Sequence, residues 1–358
     1  MSVATTTSNQ PTDTKTALQY LVVIRPLGLL YGSAGRFLSP ENLVGRSGIS
    51  FPPSAATLSG VFAQQLNEVP DKLNNLLLAG PFWAEEDRPE NFYVPTPLNC
   101  LVKDGRIQHT LSWRGDNWLT LIDGEWQTPP NDKYQKATWM AIADWQNIHQ
   151  KPEVKTSPWR FMPHLHPRLQ SEQRTVDTES DRGSLFLENA VQLDPNICLV
   201  YLSNTKIPTG WYRFGGEGHM VELECLPLGA TATNLLQQPL ANSFAIITPA
   251  VWGSNRLSYR SPNNSDTEDL AWDRWQIEAL LTGRPVQMRY RLGNKAEGHQ
   301  PHQPKLLSRG RYAVPAGSVY VLNEPMNRTW HEWDEDWFPR EGYSYKRWGC
   351  GLALPLDA

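Results

Sequence analysis

The chain has 358 residues, a formal net charge of −4, 40% hydrophobic residues and 15 tryptophans, a size and composition that suit two modest cores and exclude a disordered chain. No apolar run approaches the ~20 residues that cross a bilayer. The four cysteines (Cys100, Cys198, Cys225, Cys350) stand far apart with no C-x-x-C pair, which argues against a zinc site or disulfide framework and for a reducing cytoplasm.

Residues 1–17 lack the basic-then-apolar order of a signal peptide and read as a disordered tail. "LQYLVVIRPL" (18–27) is an apolar strand stopped by Pro26, and a glycine-rich connection follows it. "FPPSAATLSGVFAQQL" reads as a helix, with Pro52 and Pro53 before it, Ser54 as its cap, and Leu58, Val61, Phe62 and Leu66 on one face. Strand, long loop and helix make the first half of a ferredoxin-like unit. "FYVPTPLNCLV" and "RIQHTLSW" form a strand pair turning at Lys103-Asp104-Gly105.

From 127 to 183 the pattern is less regular. A helix is expected over "KATWMAIADWQNIHQ", then a polar, irregular excursion with basic side chains throughout. Strands return with "NICLVYL", "VELECL" and "FAIITPAVW". "DTEDLAWDRWQIEALLTG" has the features of a helix, capped by Asp266 or Thr267 and ended by Gly283. "RYAVPAGSVYVL" and "GCGLALPL" close the chain as strands. Helices interspersed among strands without a βαβ repeat give an α+β class.

Charge is segregated. Seven basic residues between Gly283 and Arg311, including Arg289 and Arg311, face one acid, Glu297; six acids between Glu324 and Glu341 face Arg328 and Arg340. Such segregation can build a cationic groove on an acidic protein; two solvated loops of opposite sign fit it equally. Arginine outnumbers lysine 22 to 11, which favours phosphate recognition and base stacking.

The chemistry-bearing patterns are sparse. The eight histidines form no H-E-x-x-H, and His164-x-His166 lies in a proline-rich stretch where solvated histidines are the simpler reading. Glu332, Asp334 and Asp336 in "WHEWDEDWFP" fit an acidic surface loop anchored by tryptophans better than a cation site. No G-x-S-x-G elbow is present, and Ser318 in "VPAGSVYVL" reads as structural. Neither a metal nor a cofactor is expected.

The stretch "WYRFGGEGH" (211–219) contains G-x-G, but Val221 replaces the third glycine and the following residues alternate with period two. A dinucleotide loop opens a helix, so that reading fails. The turn remains a backbone platform, an acid/base site at His219, or a tight bend. Gly215, Gly216 and Gly218, the glycines at 32–35, and Gly349 with Gly351 each have cations nearby (Arg213; Arg36; Lys346 and Arg347) and aromatic neighbours. Glycine, cation and ring at three places is the combination a single-strand RNA track uses.

The chain resembles the RAMP superfamily of CRISPR systems, and within it the third subunit of type III-B (Cmr) effector complexes. The resemblance runs from about Leu18 to Leu356 through "IRPLGLLYGSAGRFL", "FPPSAATLSGVFAQQL", "GPFW", "RTVDTESDRGSLF", "FGGEG" and "YAVPAGSVYVL", ending on "GYSYKRWGCGLALPL". It implies two ferredoxin-like, RRM-like units facing each other, with inserted loops and a protruding thumb. The expected organisation is an N-terminal unit at 18–200 with an insertion at about 127–183, and a C-terminal unit at 201–358 with a basic insertion at about 283–311. It also implies a noncatalytic, cytoplasmic subunit that grips the repeat-derived 5′ tag of CRISPR RNA. Its implied partners are the large polymerase/cyclase-like subunit and the backbone RAMP subunits, with target RNA met indirectly and no membrane. The expected RNA contacts are Arg36, Arg46, Arg168, Arg174, Arg213, Gly215, Gly216, Gly218, His219, Arg256, Arg289, Arg311, Lys346 and Arg347. The alternative is a RAMP endoribonuclease that processes precursor CRISPR RNA with His219 or His166 as acid or base.

Overall fold

The computed structural model describes residues 17–31, 51–66, 68–167, 169–170, 175–176, 185–215, 218–253, 259–262, 275–290 and 307–356. Its centre is the strand β1 (Tyr20–Pro26), whose Leu21, Val22, Val23 and Ile24 are all fully buried. A continuous apolar run of this kind suits a strand covered on both faces. β1 is flanked on both sides by antiparallel partners. On one side lies β3 (Ile197–Ser203), which in turn pairs with β2 (Leu78–Glu85). On the other lies β5 (His219–Pro227), with β4 (Gly210–Phe214) at the edge. The short strands Tyr93–Pro95, Trp139–Ala141 and Val154–Lys155 extend the sheet beyond β2, giving eight strands.

A second, four-stranded sheet is built from β6 (Ser243–Ile246), β7 (Ile277–Leu281), β8 (Val319–Leu322) and β9 (Ala353–Pro355), in the order β7-β8-β6-β9. Every pairing in it is antiparallel. The first sheet contains the same pattern in β2-β3-β1-β5: the first strand of each set lies between the third and the fourth. Because β4 and β5 pair into the first sheet, that sheet runs to Pro227, past the boundary expected at 200/201.

The helix expected after "FPPS" is α1 (Ala55–Gln65), and Leu58, Val61 and Phe62 pack on the face of the first sheet formed by Val22, Ile24, Leu199 and Tyr201. Burying each such side chain contributes about 1.5–3 kcal/mol. Ser54 occupies the N-cap position but its side chain makes no capping bond; its carbonyl accepts from Thr57 N–H instead (2.9 Å). The opposite face of the sheet, with Leu21, Val23, Val200 and Leu202, shares one core with Phe244, Tyr320 and Leu354 of the second sheet. Two further helices are short, α2 (Pro70–Asn74) and α3 (Ala230–Gln237).

Three expectations are corrected. "KATWMAIADWQNIHQ" is not an α-helix: Trp139–Ala141 pair with strands on both sides, and Ile142–Gln150 continue as a 3-10 run broken at Asn147. "QIEALL" forms β7 rather than a helix end, because pairing with β8 fills the outer position of the second sheet and overrides local propensity. Residues 266–274 of that segment lie outside the described residues. The irregular excursion begins and ends as a ribbon, Trp159–Pro167 antiparallel to Leu185–Leu193 over nine paired positions. The hairpin at Lys103-Asp104-Gly105 is as expected, with Asp104 and Gly105 at positive φ (51° and 72°).

The two sheets are joined by side chain and backbone alike. Trp145 Nε1 donates to Pro355 O (2.6 Å), and Leu98 N–H donates to Gly317 O (2.8 Å). The V-P-A-G-S motif is therefore a joint between the halves: a Cβ on Gly317 would stand 2.8 Å from Thr96 O. Ser318 is fully buried and donates to Pro315 O (2.7 Å), in keeping with a structural serine.

Candidate nucleic-acid interface

The glycine turn closes the β4–β5 hairpin, whose last pair is Phe214 opposite His219. Gly215 and Gly218 both have positive φ, 78° and 64°, which side chains rarely adopt. Gly215 has a second, steric reason to lack a Cβ, whereas one on Gly218 would make ordinary contact. On Gly215 it would lie 3.1 Å from Tyr31 O and 4.0 Å from Pro53 Cγ; on Gly218, 3.5 Å from Arg213 Cδ. The stem of Arg213 thus lies along the turn, and the residue is exposed.

Three distant motifs meet at this corner. His219 stacks on Tyr31 (ring centroids 4.7 Å apart, interplanar angle 24°). Tyr31 ends the strand that pairs with the ribbon at Ala190, and the "GSAGRFL" loop follows it directly. Tyr201 Oη donates to Pro53 O (2.5 Å) within "FPPS", and its ring meets Phe214 edge-on (6.0 Å). Burial holds the Tyr201 phenol well above its ordinary pKa, so it donates as a neutral hydroxyl. The first loop's origin, "FPPS" and "FGGEG" are therefore neighbours in space although some 180 residues apart in the chain. Sequence reasoning assigned no part to Tyr31; its position at the head of a glycine-rich loop was the available signal.

Of the other expected contacts, Arg36, Arg46, Arg168, Arg174, Gly216 and Arg256 lie outside the described residues, as does the His166 side chain. Arg289 is half-buried with Nε donating to Ser308 O (2.8 Å). Three further expected contacts are engaged within the fold. Arg311 is 4% exposed, ion-paired with Glu341, and donates to Tyr345 Oη (2.9 Å). A guanidinium so enclosed is not presented to a phosphate. Lys346 Nζ donates to the carbonyls of His331 (2.8 Å) and Trp333 and lies over the Trp330 ring (5.5 Å); burial lowers its pKa to about 8. Arg347 donates to Leu76 O (3.1 Å) and Leu73 O and lies over Tyr343 (4.2 Å). These two cations hold the C-terminal segment onto the fold.

The tail glycines are packed into the fold as well. A Cβ on Gly349 would stand 2.4 Å from Ala79 Cβ, and one on Gly351 3.0 Å from Trp252, so neither offers a surface platform. The acidic segment behaves as a tryptophan-anchored loop: Trp330, Trp333 and Trp337 are buried, the Glu332 carboxylate accepts from the N–H of the N-cap Thr329 (2.7 Å), and Asp334 faces Arg328 (3.6 Å). Among the described residues no group of His, Cys, Asp or Glu is arranged to hold a metal ion. All four cysteines are free, and no described helix is long and apolar enough to cross a membrane. A shallow cleft of about 480 Å³ near Trp83, Lys155 and Asp194 contains none of the expected contacts.

Residues 37–357 match the family CRISPR-associated protein (Cas_Cmr3). Among solved structures, the chain is similar to one in the cryo-EM structure of the Type III-B Cmr-beta bound to cognate target RNA. The identity is 12% and the TM-score 0.47, over 84% of this chain and 86% of that one. It is similar also to a chain of the Csm3-Csm4 subcomplex of the type III-A CRISPR-Cas interference complex (12% identity, TM-score 0.40, 95% of this chain and 100% of that one). A chain of the Csm1-Csm4 cassette in complex with pppApA is a further neighbour (10%, TM-score 0.34, 87% and 88%). No curated protein matches. The chain belongs to the Cas_Cmr3 family of CRISPR-associated proteins.

Proposed function

We propose that the chain is a noncatalytic RNA-binding subunit of a type III-B interference complex, gripping the repeat-derived 5′ tag of CRISPR RNA. It caps the foot of the complex beside the large polymerase/cyclase-like subunit and the backbone RAMP subunits. The repeated antiparallel strand order supports reading the two sheets as two ferredoxin-like units, and the paired ribbon supports reading the excursion as a thumb.

The observation that carries the RNA reading is the meeting of Tyr31, Pro53 and Gly215 at one corner, beside the exposed Arg213. Backbone at Gly215 and Gly218 can approach a sugar-phosphate closely, and Arg213 places a cation at the same turn. His219 is engaged with Tyr31 through its ring face, which fits a residue that braces the corner rather than an acid or base.

The test is binding of the chain, paired with the large subunit, to CRISPR RNA with a native or a scrambled 5′ tag at fixed salt. Preference for the native tag is expected. Equal binding would leave a scaffold without tag recognition, and site-specific cleavage of precursor RNA lost in His219→Ala would replace the reading with the endoribonuclease.

A further inference from the structure

The motif "GPFW" marks an irregularity in the first sheet. Along the β2–β3 pair, Phe82 lies opposite Val200 and Ala79 opposite Leu202, so three steps on β2 match two on β3. Gly80 and Pro81 together stand opposite Tyr201. A bulge of this kind re-aims the side chain beside it. Gly80 has φ +124°, and a Cβ there would stand 3.0 Å from Tyr201 Cδ1 and 3.3 Å from Val200 O. The glycine therefore makes room for the Tyr201 ring, which is fully buried.

The hydroxyl of that ring reaches a second motif. Tyr201 Oη donates to Pro53 O (2.5 Å), 148 positions away in the chain. Pro53 is itself buried, and its carbonyl immediately precedes Ser54, the N-cap of α1. The Pro53 ring in turn reaches the glycine turn, where a Cβ on Gly215 would lie 4.0 Å from Pro53 Cγ. The Tyr201 ring also meets Phe214, the residue before Gly215, edge-on. Bulge, tyrosine, proline and turn thus form one chain of contacts from the sheet to the corner. Tyr201 is too deep to touch an RNA, so it acts on the corner through Pro53 and Phe214.

We propose that Tyr201 is a positioning residue for the RNA-binding corner: its hydroxyl fixes Pro53, and Pro53 and Phe214 fix the turn that carries Gly215 and Arg213. This rests on the corner being the RNA contact. A buried carbonyl deprived of its donor shifts to find another, and the turn packed on Pro53 shifts with it. The "GPFW" bulge then serves the corner from a distance, because only with Gly80 does the ring take the place from which it reaches Pro53.

The experiment measures Tyr201→Phe, Pro53→Ala and their double variant, each paired with the large subunit, against CRISPR RNA with native or scrambled tags over a range of salt. Tyr201→Phe keeps the ring and Pro53→Ala keeps the carbonyl, so each breaks a single link. Binding is read well below the melting temperature of the least stable variant. Thr248→Val, which removes a buried hydroxyl that donates to Gly349 O, reports what lost stability does alone. Each single corner variant is expected to weaken native-tag binding about tenfold and to make the slope of log K against log salt shallower by about one. The double variant is expected to be no weaker than the weaker single one, and Thr248→Val to bind as wild type. Wild-type affinity and slope in Tyr201→Phe, additive losses in the double variant, or an equal loss in Thr248→Val would each overturn the inference. Equal binding of both RNAs by the wild type would overturn tag recognition alone, with the salt slope on either RNA still deciding the role of Tyr201. A wild type that binds neither RNA would overturn both.

Discussion

A Cβ on Gly349 would stand 2.4 Å from Ala79 Cβ and 2.9 Å from Leu78 O, so the C-terminal turn lies directly on β2 of the first sheet. The residue also has φ +69°, where a side chain is strained. Gly349→Val is therefore expected to destabilise the chain by about 2–4 kcal/mol through overpacking and backbone strain. A urea midpoint equal to wild type would mean that the tail does not dock on β2.

Arg311 and Glu341 form a buried ion pair, with 3% and 13% of their side chains exposed. Removing one partner strands the other charge, so Arg311→Ala should cost about 3–5 kcal/mol. A surface arginine changed to alanine would shift stability by about 0.5 kcal/mol or less. A denaturant titration separates the two outcomes, and the small one would return Arg311 to the candidate RNA contacts.

Arg213 is exposed and lies along Gly218, so Arg213→Ala should leave the melting temperature unchanged. If its guanidinium meets a phosphate, tag affinity falls and the slope of log K against log salt becomes shallower by about one. An unaltered slope would remove Arg213 from the interface.

Tyr31 and His219 are expected to act as one unit. Aromatic pairs of this geometry couple by about 0.5–1.5 kcal/mol in double-mutant cycles. Tyr31→Ala and His219→Ala should each weaken tag binding, and the double variant should weaken it by less than the sum. Full additivity would show that the stack does not organise the corner.

His331 gives a pH dependence. Burial, assisted by the Lys346 charge, lowers its pKa from 6.5 to about 4. Between pH 6.5 and 4 the unfolded chain therefore binds the proton that the folded chain refuses, and stability falls as pH drops through that window. The melting temperature is expected to decline from pH 7 to 4.5, with a smaller decline in His331→Gln. The same slope in both proteins would mean that His331 is open to solvent.

Local pattern was enough for the elements whose burial is periodic. The run Leu21–Ile24, the α1 face Leu58–Val61–Phe62 and the alternation Val221–Leu223 each state their structure directly, and "FPPS", "FGGEG" and "VPAGSVY" carried the family. What the sequence by itself could not determine is which cations face solvent: Arg213 and Arg311 have similar glycine-rich and aromatic neighbours, yet one is exposed and the other ion-paired inside the core. It could not fix Ile277–Leu281 or Trp139–Ala141 either, because a strand that completes a sheet takes its conformation from partners far along the chain. Only the tertiary structure decided that Tyr31, Pro53 and Gly215 share a corner while Gly349 is packed away. Such proximity is set by the strand order of the sheets, and strand order is a long-range property that no local window contains.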